Sequence, residues 1–189
     1  VDVESITIHP EYDANVIDHD ISVWKLASPI EEGEGISFAV LPEAGFDPAA
    51  NTTVHVAGWC VFHIYPSSVT VYHAIEWMFW LTKELCRGDL SLSGPAPDEL
   101  QKVSIPVVDR AECAEDYAPE QMAITENMFC AGFLEGGKDH CYGDSGGPLV
   151  NDDGTLLGVV SWAKLCALPD FPGVNSNVGI LMDFVSEHL

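Results

Sequence analysis

The chain has 189 residues, 7 Lys and Arg against 30 Asp and Glu, a formal net charge of -23 and 47% hydrophobic residues. That length bounds it to one domain or two small ones, and the apolar fraction excludes wholesale disorder. The charge excludes nucleic acid as the main partner, because phosphate binding needs a basic face, and it disfavours an anionic membrane surface.

Val3–His9 carries Val, Ile, Thr and Ile ahead of a His9-Pro10 turn and reads as a strand. Ile21–Leu26 is a second apolar run, closed by Ala27-Ser28-Pro29. Thr53–Trp59 alternates as a half-buried strand does. From Cys60 to Arg87 the pattern changes: the segment holds Trp77, Phe79 and Trp80 and reads partly as an amphipathic helix. Within it, Val69–Leu85 comes nearest to a membrane span, but His73, Glu76, Lys83 and Glu84 interrupt it. Strands resume at Gln101–Val108, Pro148–Val150 and Leu156–Trp162, the last after an Asp152-Asp153-Gly154 turn. Only Gly179–His188 reads as a full helix, with Ile180, Leu181, Phe184 and Val185 at helical spacing. Many short strands between turns argue for an all-β barrel or sandwich.

The chain starts at Val1 without a basic and then apolar leader, which suggests a processed or truncated product. Its 6 cysteines are an even set, and Asn51-Thr52-Thr53 is a glycosylation acceptor pattern; both suit an oxidising, secreted setting.

Chemistry concentrates in Gly143-Asp144-Ser145-Gly146-Gly147-Pro148-Leu149. A serine hydroxyl is a weak nucleophile that needs a base and a fixed geometry. Glycines on both sides allow the tight turn that aims consecutive N–H groups at one point, as an oxyanion hole requires. This motif resembles the nucleophile segment of the trypsin-like (chymotrypsin-fold) serine endopeptidases. Asp20-Ile21-Ser22-Val23-Trp24-Lys25-Leu26 is similar to the segment holding that family's catalytic aspartate. Ile8–Asp13, Ala57-Gly58-Trp59, Asn127–Gly132, Val160-Ser161-Trp162 and Phe171–Val174 agree too, so that all but residues 60–87 resembles the family.

The resemblance implies a double β-barrel with the second barrel nearly complete, the first partial, and a C-terminal helix. It implies Ser145 as nucleophile, the amides of Gly143 and Ser145 as oxyanion hole, and Asp20 as the carboxylate orienting the base. Asp144 would receive the ammonium freed on activation. Asp139 would floor the specificity pocket, with Ser161, Trp162 and Gly173 lining it, and would select Arg or Lys. Two departures touch that pocket: Ala163 stands where glycine is usual, and His140 where a small residue is usual. A protonated His140 would compete for Asp139, so cleavage after Arg or Lys should weaken below about pH 6.5.

By the same resemblance Cys113 pairs with Cys130 and Cys141 with Cys166, while a further family pair is replaced jointly by Val54 and Asn151. Cys60 and Cys86 bracket the odd segment and could pair with each other. Deleting Cys60–Arg87 restores the family wording Ala-Gly-Trp-Gly, which suggests either a retained intron read in frame or a loop insertion with an exposed aromatic patch.

The family's catalytic histidine is missing. His9, His19, His55, His63, His73, His140 and His188 all lie outside its small-residue and cysteine context. A zinc cluster of Cys60, His63, His73 and Cys86 matches no standard ligand spacing, so no metal and no cofactor is expected. The expectation is an N-terminally truncated, secreted, monomeric protease domain acting on protein or peptide substrates and open to protein inhibitors. Its alternatives are a non-catalytic pseudoprotease that binds without cutting, and a preference for apolar side chains if His140 shields Asp139.

Overall fold

The computed structural model describes residues 1–59 and 99–189, together with the backbone of Phe62 and His63. Its strands are β1 Val3–Ile8, β2 Ser22–Leu26, β3 Thr53–Gly58, β4 Phe62–His63, β5 Gln101–Val108, β6 Met128–Ala131, β7 Lys138–Asp139, β8 Pro148–Val150, β9 Leu156–Trp162 and β10 Gly173–Asn177. Two short helices join them, α1 Arg110–Tyr117 and α2 Met182–Glu187.

Six strands close into an antiparallel barrel in the order β10-β6-β5-β3-β8-β9. The period-2 pattern sets what goes inside. Val54 and Val56 of β3, Val103, Ile105 and Val107 of β5, and Leu149 of β8 point into one core with Phe129 and Leu157. Closure leaves this barrel without edge strands. The first barrel is represented by the antiparallel pair β1–β2. Beside this pair, Ile21 and Val23 pack against Met182, Phe184 and Val185 at the C-terminal helix. Ile6, Ile8 and Trp24 of the pair stay 51%, 62% and 58% exposed. The double-barrel, all-β expectation therefore holds.

Two expectations about helices need correction. Arg110–Tyr117 is helical although its hydrophobic periodicity is weak. Its only buried residues are Cys113 and Tyr117, and its start is fixed by Asp109, whose side chain accepts from the amides of Ala111 and Glu112. The final helix starts at Met182, not Gly179, because Asn177 Oδ1 takes the amides of Gly179 and Ile180 into a preceding turn.

The expected helical character, aromatic patch and Cys60–Cys86 pair of residues 60–87 lie outside the described residues. So does the Cys60, His63, His73 and Cys86 metal set. Of this stretch only the β4 backbone is described, pairing Phe62 with Asp139 and His63 with Lys138. Among the described residues no helix is long and apolar enough to cross a membrane.

Candidate active site

Ser145 lies in the loop between β7 and β8 and is exposed. The loop is fastened to β9 by two bonds, Gly146 N to the Val160 carbonyl and Val160 N to the Gly147 carbonyl, both 2.9 Å. Gly143 and Gly146 have φ of 98° and 82°, which residues with a Cβ rarely adopt. Among the described residues the amides of Gly143 and Ser145 are taken by no backbone acceptor.

Asp20 and Ser145 line one cavity at the barrel mouth, with Gly146 and Val160. Asp20 precedes β2, but the second barrel holds it. Its Oδ2 accepts a 2.6 Å bond from Ser161 Oγ on β9, and its carbonyl accepts one of 2.6 Å from Ser176 Oγ on β10. The anchoring role of Ser176 was not legible in the sequence, since nothing marks that serine apart from its neighbours.

Asp144 is buried next to Ser145. Its carboxylate accepts from the amides of Trp59 at 3.1 Å and Cys141 at 3.0 Å. A Cβ at Gly58 would run into that carboxylate, which accounts for the glycine before Trp59. Val1 is 75% exposed.

A second cavity of about 250 Å³ opens beside Ser145, lined by His140, Ser161, Trp162 and Ala163, and by Tyr142 and Leu165, which sequence reasoning had not singled out. Asp139 and Gly173 do not line it. They lie behind His140: a Cβ at Gly173 would strike both the His140 ring and Asp139 Oδ1. Asp139 Oδ1 accepts from the His140 amide at 2.8 Å, and Oδ2 from the Ala167 amide at 3.1 Å.

Burial pushes Asp139 up to about 7, against the pull of those two amides. Burial also pushes His140 down to about 4. The Asn175 side chain favours the charged ring, although His140 Nε2 and Asn175 Oδ1 both lack a partner in hydrogen-bond geometry. With His140 Nε2 and Asp139 Oδ1 3.9 Å apart, the pair is neutral over much of the acidic range. The expectation of a His140 switch near pH 6.5 is thus corrected: desolvation keeps this ring uncharged, and Asp139 is the group that titrates near neutrality.

Disulfides join Cys113 to Cys130 and Cys141 to Cys166. The second ties the loop of Ser145 to the wall of the side cavity. Tyr117, pushed upward by burial, donates to the Pro172 carbonyl at 2.9 Å and meets Trp162 edge-on at 5.0 Å, propping that wall from behind. His55 is engaged elsewhere, with Ser104 Oγ at 2.8 Å and Asp152 Oδ1 at 2.7 Å from its two ring nitrogens. These three residue types match a catalytic triad, yet none of them lines either cavity at Ser145.

Comparison with known proteins agrees with this geometry. The Trypsin family profile matches residues 1–61 and 86–185. Trypsin Blo t 3 of Blomia tropicalis is 40% identical over 179 residues, covering 94% of this chain and 57% of the relative. Trypsin-1 of Astacus astacus is 36% identical over 188 residues, covering 98% of this chain and 66% of the relative. Trypsin, alkaline B of Manduca sexta is 32% identical over 181 residues, or 95% and 59% of the two chains. This sequence thus spans 57% to 66% of the length of these relatives. With the profile covering most of its length, the chain belongs to the trypsin family of serine proteases.

Proposed function

We propose that this chain carries the nucleophile and the orienting carboxylate of a trypsin-like serine endopeptidase that cleaves after Arg or Lys. One observation carries the reading: Ser145 and Asp20 face the same cavity, and Ser145 also borders the side pocket. Ser145 Oγ attacks the scissile carbonyl and passes its proton to a histidine, which returns it to the leaving amine. The amides of Gly143 and Ser145 take the oxyanion, and water then hydrolyses the Ser145 acyl-enzyme. None of His9, His19, His55, His140 or His188 lines the cavity shared by Ser145 and Asp20, which supports the reading that the base is a histidine missing from this chain. Without it, turnover falls to the residual level of oxyanion stabilisation and binding, about 10³–10⁴ over water.

In the pocket, an arriving guanidinium or ammonium meets the neutral His140 first and draws Asp139 into its ionised form behind it. Disulfide use fits a secreted protein. Protein and peptide substrates, and protein inhibitors that fill the same cavity, are its partners, and it works as a monomer. A second reading has one observation in its favour: Asp139 is 1% exposed and screened by His140, which suits an apolar side chain in the pocket.

Activated arginyl and phenylalanyl esters test both readings, because a good leaving group lowers the demand for a base. Wild-type protein should hydrolyse them above background, the arginyl ester faster, and Ser145→Ala should return both to background. Equal rates in the two proteins sink the proposal. Faster phenylalanyl turnover that still depends on Ser145 selects the second reading.

A further inference from the structure

We propose that His9, Glu11 and His19 form a binding site for zinc or a similar borderline divalent cation, on the surface of the segment that leads into Asp20. One ligand atom from each of the three can be chosen so that all lie within 4.8 Å of one another. The two imidazoles have centroids 4.5 Å apart with their planes tilted by 30°, and His19 Nε2 is 3.5 Å from Glu11 Oε2. Zinc bonds of about 2.0–2.1 Å in tetrahedral geometry hold their ligands roughly 3.3 Å apart. Closing the set is a movement on the order of an ångström. Glu11, with its side chain 73% exposed, is free to make it.

Asp18, held in place by its neighbours, lies next to His19. His19 Nδ1 lies 3.3 Å from Asp18 Oδ2. Asp18 in turn accepts from Thr125 Oγ at 2.7 Å, Asn127 Nδ2 at 3.1 Å and the His19 amide at 2.9 Å. The carboxylate stands beside the ring at ion-pair distance and adds negative potential to the site. With the proton on Nδ1, His19 Nε2 carries the lone pair, which now accepts from Asn127 Nδ2 at 3.2 Å. His9 Nδ1 likewise accepts from the Glu11 amide at 3.2 Å. A cation displaces both contacts; Asn127 keeps its Asp18 bonds, and water takes the exposed Glu11 amide. Asp183 and Glu187 share a groove with His9 and add negative potential around it. Two imidazoles and one carboxylate, with water as the fourth ligand, suit zinc, whereas calcium and magnesium seek oxygen-rich sets.

The site is independent of the Ser145 reading, and its test needs no turnover. Zinc is titrated against a chromogenic chelator at pH 7.5, using the 189-residue chain. Thiols are alkylated beforehand, which removes Cys60 and Cys86 as competing ligands. Wild-type protein should take up one equivalent of zinc. His19→Asn preserves the fold, since asparagine tolerates the φ of 52° at this position. It should weaken binding at least tenfold, and Glu11→Gln, at an exposed position that needs no refolding, should do the same. A His63→Asn, His73→Asn double variant should bind as wild type does. Unchanged affinity in both His19→Asn and Glu11→Gln overturns the proposal. Displacement of the zinc by an equal concentration of calcium overturns it too, since that marks a merely acidic surface.

Discussion

Replacing Asp139 by asparagine separates two opposed titrations that the wild-type protein keeps hidden. Asp139 rises from 3.8 to about 7 on folding, so the folded state holds a proton that the unfolded chain has already lost. Its contribution to stability is complete below 3.8 and disappears as pH climbs through 7. His140 falls from 6.5 to about 4, so the unfolded chain binds the extra proton and stability rises with pH across that window. In the wild type the two slopes nearly cancel between pH 4 and 6.5. Removing the carboxylate leaves the His140 slope alone. Shifts of roughly three pKa units at about 1.4 kcal/mol each put the change near 4 kcal/mol. The stability of Asp139→Asn relative to wild type should therefore increase by about 4 kcal/mol from about pH 3 to about pH 8. Urea unfolding of both proteins at half-unit pH intervals measures it, and the other carboxylates drop out of the difference. Parallel pH profiles would refute the reasoning, because they would mean that Asp139 ionises in the folded protein as it does in water.

Two further outcomes follow from the same pocket. His140→Ser removes the ring that screens Asp139, so benzamidine, a small amidinium probe, should bind about tenfold more tightly at pH 8, by roughly 1.4 kcal/mol; calorimetry that finds unchanged or weaker binding removes His140 from the specificity argument. Replacing Cys141 and Cys166 together by serine opens a disulfide spanning 25 residues of chain, and the chain-entropy relation puts the loss at about 3.5 kcal/mol in urea unfolding.

The barrel was legible where its strands alternate. Val54 and Val56, or Val103, Ile105 and Val107, mark an inward face by their spacing alone. β10 was not among the strands read from the sequence, because Gly173–Asn177 is buried at every position yet carries Asn, Ser and Asn rather than an apolar alternation. Its side chains are tolerated inside because specific partners meet them: Ser176 donates to the Asp20 carbonyl, and Asn177 donates to Asp47 and accepts the amides beyond. The partners Asp20 and Asp47 are more than a hundred residues away along the chain, and hydrophobic periodicity does not register them. The loop of Ser145 was legible because its glycines answer a local backbone demand. The order of Asp139 and His140 in depth was not, since it depends on which side chain the space over Gly173 admits.

The candidate site depends on the second barrel more than its place in the chain suggests. Asp20 precedes β2, whose sheet partner β1 leaves Ile6 and Ile8 more than half exposed. Were Asp20 positioned by that sheet, its geometry would inherit the weakness of a two-stranded ribbon. It is positioned instead by Ser161 and Ser176, on adjacent strands of the closed barrel, while Thr125 and Asn127 hold Asp18 just before it. These bonds also explain how Ile17 and His19 keep φ of 55° and 52°, a conformation costly for a β-branched residue. The strain sits in a short segment whose ends are fixed from outside, by β9 and β10 on one side and the loop before β6 on the other. Ser145 is tied to β9 through Gly146 and Gly147. Ser145 and Asp20 thus share one rigid strand as their common reference, and their separation is set by the barrel rather than by the loops that carry them.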